Sequence, residues 1–200
     1  MSRRRVAILV SGGGSNMASL VAAMAAPDHP AEPCLVLSNR PKAAGLAKAR
    51  AAGIPTASVD HRQFGEGREP FEAEIGKHLT AARADLICLA GFMRVLTGGF
   101  VSRWSGRMLN IHPSILPLFP GLDTHARAIA AGMAVHGATV HEVTADLDAG
   151  PILGQAVIPI LPEDTPDTLA ARLLPMEHRL YPAVLARYAA GDRTPISLFP

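Results

Sequence analysis

The sequence predicts an α/β fold in which helices cover both faces of a mostly parallel sheet. Short apolar runs alternate with longer segments of helical spacing through the first half of the chain. The connections between them are short, and Gly or Pro marks most of their ends. This alternation is typical of a three-layer, Rossmann-like arrangement. With 200 residues, 48% of them hydrophobic, the chain can bury a sizeable core, and we expect one domain over residues 1–200.

The predicted elements of the first half follow in order. The apolar run 6–10 ends in Ser-Gly-Gly-Gly, as a buried parallel strand does, and residues 15–26 follow with helical spacing. Further strands are predicted at 34–37, 56–59, 86–90 and 108–111, and helices at 43–52 and 71–82. The last of these helices is placed after Pro70 because proline suits a first helical position.

The second half of the chain has a different pattern. Residues 137–143 and 152–160 indicate two strands joined by a turn at 146–150, so we expect an antiparallel pair there. Residues 165–188 carry a long helical pattern. Pro175 and Pro182 are predicted to kink or divide this C-terminal helix.

Composition excludes several classes of function. The formal net charge is only +2, which leaves no large basic surface for nucleic acid. Cys34 and Cys88 lie in apolar runs, so two buried free thiols are expected rather than a disulfide framework or a zinc site. The apolar run after Arg5 is too short for a signal peptide, and no segment is long enough to span a membrane. We therefore expect a soluble, cytoplasmic protein.

The loop Ser-Gly-Gly-Gly-Ser-Asn over residues 11–16 joins the first strand to the first helix. Backbone N–H groups in such a loop, together with the helix N-terminus, can hold an anion. A dinucleotide fingerprint does not match, because Met17 stands at the third glycine and no acidic residue closes the second strand. The Walker lysine is also missing. The loop alone leaves two alternatives open, a monophosphate site and a tight strand-to-helix corner.

Asn110 and His112 stand near the end of the apolar strand 108–111. Side chains two residues apart on a strand point to the same side, and this is the end at which open α/β sheets bind ligands. Pro113 restricts His112 to an extended backbone. The pair can therefore direct an amide donor and an imidazole at one carbonyl group, although the alternative is that both merely cap the strand.

The turn at 146–150 is acidic, and its composition alone indicates a structural role. A Ca²⁺ loop does not match, because Val157 occupies the twelfth position, where a bidentate glutamate is needed. A carboxylate from this turn that reached His112 would favour the imidazolium form. His136 and His141 are predicted to point to opposite faces of one strand and are therefore a poor metal pair.

Four stretches together resemble the folate-dependent formyltransferases, in particular the phosphoribosylglycinamide formyltransferases. The stretches are the glycine loop, Leu-Ala-Gly-Phe-Met-Arg at 89–94, Asn-Ile-His-Pro-Ser at 110–114 and Asp-Leu-Asp-Ala-Gly-Pro at 146–151. The resemblance runs in register over about residues 6–188. The histidine and aspartate motifs are shared by 10-formyltetrahydrofolate enzymes generally, whereas the short glycine loop is the more specific marker of a ribonucleotide substrate.

The resemblance implies a set of site residues. Asn110, His112 and Asp148 would be catalytic. Gly14, Ser15, Asn16 and Glu177 would bind the ribonucleotide, the first three at its 5′-phosphate and Glu177 at its ribose. The folate would be bound by Arg68 at its carboxylate end and otherwise by Met93, Arg94, Val95, Leu96, Asn110, Thr144, Ala145, Asp146, Leu147 and Asp148. Leu174 and Leu118 depart from the family, where polar residues are usual.

The resemblance also implies a reaction. The primary amine of glycinamide ribonucleotide would attack the formyl group of 10-formyltetrahydrofolate directly, through a tetrahedral oxyanion and without a metal, in de novo purine (IMP) biosynthesis. Asn110 would donate to the oxyanion, and His112, charged through Asp148, would assist proton movement to the leaving nitrogen. The expected partners are these two small molecules, with no nucleic acid or membrane, and the expected state is a monomer or homodimer.

Two other functions remain as alternatives. A formyltetrahydrofolate hydrolase would use water in place of the amine. It usually carries a further domain ahead of the first strand, whereas this first strand is predicted to begin at Val6, so we expect the transferase. A non-catalytic, Rossmann-type nucleotide-binding module would use the glycine loop. It would give no reason for Asn110, His112 and Asp148 to meet.

Overall fold

The computed structural model describes residues 2–200. Its strands are β1 (Arg4–Val10), β2 (Ala31–Ser38), β3 (Thr56–Ser58), β4 (Leu86–Leu89), β5 (Met108–His112), β6 (Val135–Glu142), β7 (Ile152–Pro159) and β8 (Ile196–Leu198). Its helices are α1 (Ser15–Met24), α2 (Ala44–Ala51), α3 (Arg68–Ala81), α4 (Gly98–Arg103), α5 (Thr124–Ala130) and α6 (Pro166–Ala189), with a 3-10 helix at His61–Phe64.

The strands form one eight-stranded sheet in the order β3-β2-β1-β4-β5-β6-β7-β8. Neighbours from β3 to β5 are parallel. β6 runs antiparallel to β5 and to β7, and β8 is parallel to β7. The predicted parallel half and its antiparallel extension are therefore both confirmed.

Helices cover the sheet on both faces, as predicted. Along β1, Val6, Ile8 and Val10 are fully buried in a cluster with residues of α1, α2 and α6. The intervening Ala7 and Leu9 are buried with residues of α3 and α4. Because neighbouring side chains of a strand point to opposite faces, this continuous apolar run is the pattern of a strand covered on both sides.

The predicted long C-terminal helix is confirmed. Pro175 and Pro182, which the sequence predicts to kink or divide it, do not divide it, because α6 runs as one helix through both. An interior proline costs a helix about 3 kcal/mol. That cost is offset because Leu169, Leu173 and Leu180 are completely buried, and each contributes about 1.5–3 kcal/mol by leaving water.

A tyrosine of α6 ties the helix to the centre of the sheet. The hydroxyl of Tyr181 lies 3.2 Å from the carbonyl oxygen of Leu89 and 3.1 Å from that of Leu109. Tyr181 is completely buried, and burial raises the pKa of its phenol well above the usual value. The helix is thereby attached to the last residue of β4 and to the second residue of β5.

Several shorter elements were not predicted. α3 begins at Arg68, before Pro70 and not after it, because none of the N–H groups in a helix's first turn has a helical partner to lose. α4, α5, β8 and the 3-10 helix were missed, because elements this short show no clear apolar period.

The predicted free thiols are confirmed. Cys34 and Cys88 are both buried and unpaired. Burial raises the pKa of the Cys34 thiol to about 11 and that of Cys88 to about 12, so both remain protonated at neutral pH. Within residues 2–200, no helix is long and apolar enough to cross a bilayer.

Candidate active site

Three loops meet where the parallel strands end. The glycine loop follows β1, the segment 91–97 follows β4, and His112 closes β5. These strands are neighbours and run in the same direction, so their carboxyl ends lie at one edge of the sheet. Open α/β sheets bind ligands at this edge.

Asn110 and His112 share one side of β5, as predicted. Leu109 and Ile111, which alternate with them along the strand, belong to the apolar cluster on the opposite face. His112 is buried at the end of the strand. The chain that follows it is fixed to α5, because the hydroxyl of Thr124, the first residue of that helix, donates to the Pro113 carbonyl over 2.6 Å.

His112 approaches the predicted aspartate. Its Nδ1 lies 3.5 Å from Oδ2 of Asp148, and both side chains are less than 10% exposed. Its Nε2–H donates to the carbonyl of Phe119 at 3.0 Å. Asp148 Oδ2 also accepts from the backbone N–H of Gly121 at 2.9 Å. The imidazole therefore has an oxygen acceptor facing each nitrogen.

Local backbone geometry delivers Asp148 to this position. Its φ is 52°, in the left-handed region that aspartate tolerates better than most residues. Gly150 closes the same turn against the strand before it. A Cβ at Gly150 would lie 1.8 Å from the carbonyl oxygen of Glu142, so only glycine can occupy the position without moving the backbone. The sequence Asp-Ala-Gly thus shapes the turn and aims its carboxylate.

A second histidine, which the sequence reasoning did not assign to the site, contacts Asn110. His141 lies opposite Asn110 in the antiparallel pairing of β5 with β6. Its Nε2 accepts from Asn110 Nδ2 at 3.2 Å, and its Nδ1–H donates to the carbonyl of Glu142 at 2.8 Å. Burial lowers the pKa of His141, which agrees with a neutral ring that accepts at Nε2. His141 comes next to Asn110 only through the register of β5 against β6, and the sequence alone does not specify that register.

His136 packs elsewhere. Its ring makes an edge-on contact with His125 of α5, with centroids 4.9 Å apart. Burial lowers the pKa of His136 to about 4. Among residues 2–200, no group of three or more His, Cys, Asp or Glu side chains is arranged to hold a metal ion.

The glycine loop brings α1 and α2 close together. Gly14 has a φ of 69°, and a Cβ there would lie 2.8 Å from Cα of Gly45. Ser15 and Asn16 form the first turn of α1, so their N–H groups have no helical partner. An anion could therefore bind backbone donors and the positive end of the helix dipole at this point.

Glu177 of α6 lies against this helix start. Asn16 donates through Nδ2 to Oε2 of Glu177 at 2.6 Å. Burial raises the pKa of the Glu177 carboxyl. The structure thus brings together two residues that the sequence analysis assigned to one ribonucleotide, at its phosphate and at its ribose.

The residues expected around the folate differ in their exposure and in their hydrogen bonds. Met93, Val95 and Leu147 are each more than half exposed. Thr144 donates through its hydroxyl to the carbonyl of Asp146 at 3.1 Å. Arg68, at the start of α3, is exposed, and its side chain makes no hydrogen bond or ion pair within the described part of the chain. The structure does not bring Arg68 into contact with the other predicted site residues.

Comparison with known proteins gives consistent similarities. A family model described as formyl transferase matches residues 4–185, from β1 into α6. The crystal structure of a phosphoribosylglycinamide formyltransferase from Brucella melitensis is 54% identical with a TM-score of 0.90, covering 95% of this chain and 97% of that one. The phosphoribosylglycinamide formyltransferase of Haemophilus influenzae is 42% identical over 188 residues, or 94% of this chain and 88% of that protein.

Longer proteins also match. The trifunctional purine biosynthetic protein adenosine-3 of Drosophila melanogaster is 47% identical over 191 residues, or 94% of this chain. The matched region is only 14% of that protein's length. The corresponding protein of Homo sapiens is 44% identical, and the match covers 19% of its length. The chain therefore resembles one part of these larger proteins.

Proposed function

Since this chain belongs to the formyl transferase family, we propose that it transfers the formyl group of 10-formyltetrahydrofolate to the primary amine of glycinamide ribonucleotide, in de novo purine biosynthesis. The observation that carries the proposal is the 3.5 Å approach of His112 Nδ1 to Asp148 Oδ2 at the end of β5. A nucleotide-binding module without catalysis would have no need of this buried pair, whereas acyl transfer requires groups that stabilise negative charge and move protons.

The glycine loop and Glu177 support a ribonucleotide as the acceptor. The first turn of α1 presents free N–H groups suited to a phosphate. Glu177 lies 2.6 Å from Asn16 and can accept a hydrogen bond from a sugar hydroxyl. One ligand bound along this edge would extend from the helix start towards His112, which would bring its amine to the reacting carbon.

The proposed chemistry needs no enzyme-bound acyl group. The amine lone pair attacks the formyl carbon, a C–N bond forms, and the carbonyl oxygen becomes an oxyanion. The bond from that carbon to the folate nitrogen then breaks. The amine loses a proton and the leaving nitrogen gains one, which yields the formylated ribonucleotide and tetrahydrofolate.

Each residue of the trio has a separate task in this scheme. Asn110 donates an amide N–H to the oxyanion. Removing one such donor typically costs about 10²–10³ in turnover. His141 accepts the other amide N–H of Asn110 and so orients it. His112, whose Nδ1 faces the carboxylate of Asp148 at 3.5 Å, assists proton movement, a contribution of about 10²–10⁴.

The contact between His112 and Phe119 has a consequence for binding. The Nε2–H of His112 donates to the Phe119 carbonyl at 3.0 Å. In the proposed reaction the same N–H serves the oxyanion or the leaving nitrogen. Substrate would therefore take over the position of the Phe119 carbonyl, with one hydrogen-bond acceptor replacing another.

The test is an absorbance assay of 10-formyltetrahydrofolate consumption with and without glycinamide ribonucleotide. We expect consumption to require the ribonucleotide and to yield one formylated product per folate consumed. Equal consumption without ribonucleotide, with release of formate, would instead identify a hydrolase. Binding of the ribonucleotide with no turnover under any condition would support the non-catalytic module.

A further inference from the structure

The segment 91–97, which carries the proposed folate residues 93–96, is tied at its start to Ser11. Ser11 directly follows β1 and is only 3% exposed. Its N–H donates to the carbonyl of Gly91 at 3.0 Å, and its Oγ accepts from the N–H of Met93 at 2.8 Å. One residue at the root of the glycine loop thus holds two backbone groups of the neighbouring loop.

The hydroxyl of Ser11 is itself fixed in orientation. It donates to Oδ1 of Asn39 at 2.6 Å, and Asn39, just after β2, is 1% exposed. The carbonyl of Asn39 lies 2.9 Å from Nδ1 of His61. The hydroxyl of Ser11 therefore both donates and accepts a hydrogen bond. Its removal would leave Oδ1 of Asn39 and the N–H of Met93 without this partner.

The far end of the segment is tied to Glu72 of α3. The N–H of Thr97 donates to Oε1 of Glu72 at 2.6 Å, and the Thr97 hydroxyl donates to Oε2. Thr97 Oγ also accepts from the N–H of Phe100 at 3.3 Å and so caps α4. Glu72 is 4% exposed and makes no ion pair within residues 2–200. Both hydrogen bonds of its carboxylate go to this one threonine.

Between the two ties, the side chains of the segment differ in exposure. Met93 is 60% and Val95 is 57% exposed. Phe92 is 8% exposed, and Leu96 packs against the same apolar cluster as Phe92. Packing therefore anchors two side chains of the segment, and the hydrogen bonds at its ends hold the backbone that carries the exposed pair. A loop ordered before binding avoids the loss of conformational entropy that a mobile loop suffers when a ligand binds.

We propose that Ser11 and Glu72 are positioning residues for the folate, which act by holding the segment 91–97 in its binding shape. Neither needs to touch a substrate. Ser11 acts through the N–H of Met93, and Glu72 acts through Thr97. The inference rests on the proposed function, because that function assigns residues 93–96 to the folate.

The test compares variants at both ends of the segment. Ser11→Ala removes the first tie, and Thr97→Val removes the hydroxyl that donates to Glu72. Thr97→Ser restores that hydroxyl. Ser38→Ala is the matched control for Ser11, since Ser38 is also completely buried at a strand end, but its Oγ accepts from Arg40 N–H and makes no contact with the segment.

Two dissociation constants distinguish a positioning role of these residues from a general destabilisation of the protein. The Kd of tetrahydrofolate and that of glycinamide ribonucleotide are measured by calorimetry, together with KM and kcat for formyl transfer. For Ser11→Ala and Thr97→Val we expect the folate Kd and KM to rise 5–20-fold, kcat to fall less than threefold, and the ribonucleotide Kd to change less than twofold. Thr97→Ser and Ser38→Ala should match the unaltered protein within twofold.

Equal weakening of both ligands, or equal effects of Ser11→Ala and Ser38→Ala, would overturn the proposal. If Ser11→Ala does not fold by circular dichroism, Ser11→Cys keeps the size of the side chain with weaker hydrogen bonds, and its folate Kd should still rise at least threefold. An unchanged folate Kd in a folded Ser11→Cys protein would also overturn it.

The binding measurements also separate this proposal from the proposed function. If the unaltered protein binds tetrahydrofolate but transfers no formyl group to the ribonucleotide, the function fails, and the folate Kd values still decide the roles of Ser11 and Glu72. If transfer occurs and the variants bind folate normally, only the positioning roles fail. If the unaltered protein binds no folate, both proposals fail together.

Discussion

Asn16 and Glu177, from the first and last helices of the chain, are joined by a hydrogen bond of 2.6 Å beside the glycine loop. The bond connects the two parts of the proposed ribonucleotide site. It also holds a buried carboxylate at a position where burial raises its pKa. Titratable groups whose pKa is shifted by burial are frequent at functional sites.

Glu177→Gln should make the unliganded protein more stable at neutral pH. Because the folded pKa of Glu177 is raised, its stabilising contribution is present below the unfolded value near 4.3 and is lost as pH rises through the folded value. Glutamine carries no charge to desolvate and still accepts from Asn16, so we expect a higher free energy of unfolding at pH 7.5 and a gain that shrinks as pH falls towards 4. Urea unfolding at several pH values measures this gain in the free energy of unfolding.

The same substitution should weaken ribonucleotide binding. A neutral amide accepts a sugar hydroxyl less strongly than a carboxylate does, and a charged hydrogen bond is worth about 1.5–3 kcal/mol. We expect KM for glycinamide ribonucleotide to rise about tenfold or more, with KM for the folate little changed. A stabilised variant with normal ribonucleotide KM would remove Glu177 from the site.

His112→Ala should abolish most of the turnover without loss of binding. The imidazole acts on the reacting atoms in the proposed scheme, so kcat should fall by about 10²–10⁴, while the Kd of the ribonucleotide changes less than threefold. His78→Ala is a suitable control, because His78 lies on α3 and takes no part in the site. Near-normal kcat in His112→Ala would exclude the imidazole from the mechanism.

Asp148→Asn should slow the reaction through its effect on His112. The amide cannot supply the carboxylate that faces Nδ1 of His112 at 3.5 Å, so kcat should decrease by about 10²-fold. The measurement is kcat for Asp148→Asn, for His112→Ala and for the double variant. The double variant should be no slower than His112→Ala alone, and multiplied losses would show that the two groups act independently.

Gly14→Ala should destabilise the protein, whereas Gly13→Ala should not. A side chain at Gly14 requires a left-handed backbone and places Cβ 2.8 Å from Cα of Gly45, whereas a Cβ at Gly13 meets nothing within 4 Å. The conformational cost alone is about 1–2 kcal/mol, and with the close contact we expect a loss of about 2–3 kcal/mol in the free energy of unfolding. Equal stability of the two variants would contradict the geometry of the loop.

His136→Leu should reduce the sensitivity of the protein to acid. The folded pKa of His136 is lowered to about 4, so its contribution to stability is present above the unfolded value near 6.5 and is lost as pH falls from there towards 4. That loss amounts to about 2–3 kcal/mol. Between pH 7.5 and 4.5, the free energy of unfolding should fall by about 2–3 kcal/mol less in the variant than in the unaltered protein. Parallel declines in urea titrations would show that His136 is not the acid-sensitive group.

The parts of this molecule that could be predicted from sequence are those with a strong local period. The continuous apolar run of β1 and the spacing of Asn110 and His112 each imply a face and an end of the sheet. The glycine loop likewise implies a helix start. Each of these patterns lies within a short stretch of chain, so it can be recognised in a single sequence.

The parts that could not be predicted depend on contacts between distant residues. His141 enters the site only through the register of β5 against β6. Asp148 reaches His112 only because its own backbone is left-handed and Gly150 allows the turn to close. The sequence predicts the long helix α6, but its continuity through two prolines depends on the burial of its leucines against the sheet. The roles of the site residues stay predictions until the variants are measured.

The hydroxyl of Tyr181, shared between the carbonyls of Leu89 and Leu109, joins the last helix to the middle of the sheet. β4 and β5 are therefore expected to open together with a helix that is synthesised after both of them. Amide protons in β4, β5 and α6 would then exchange with solvent at similar rates. On the ribosome, this edge of the sheet would gain its contact with α6 only after residue 181 has emerged.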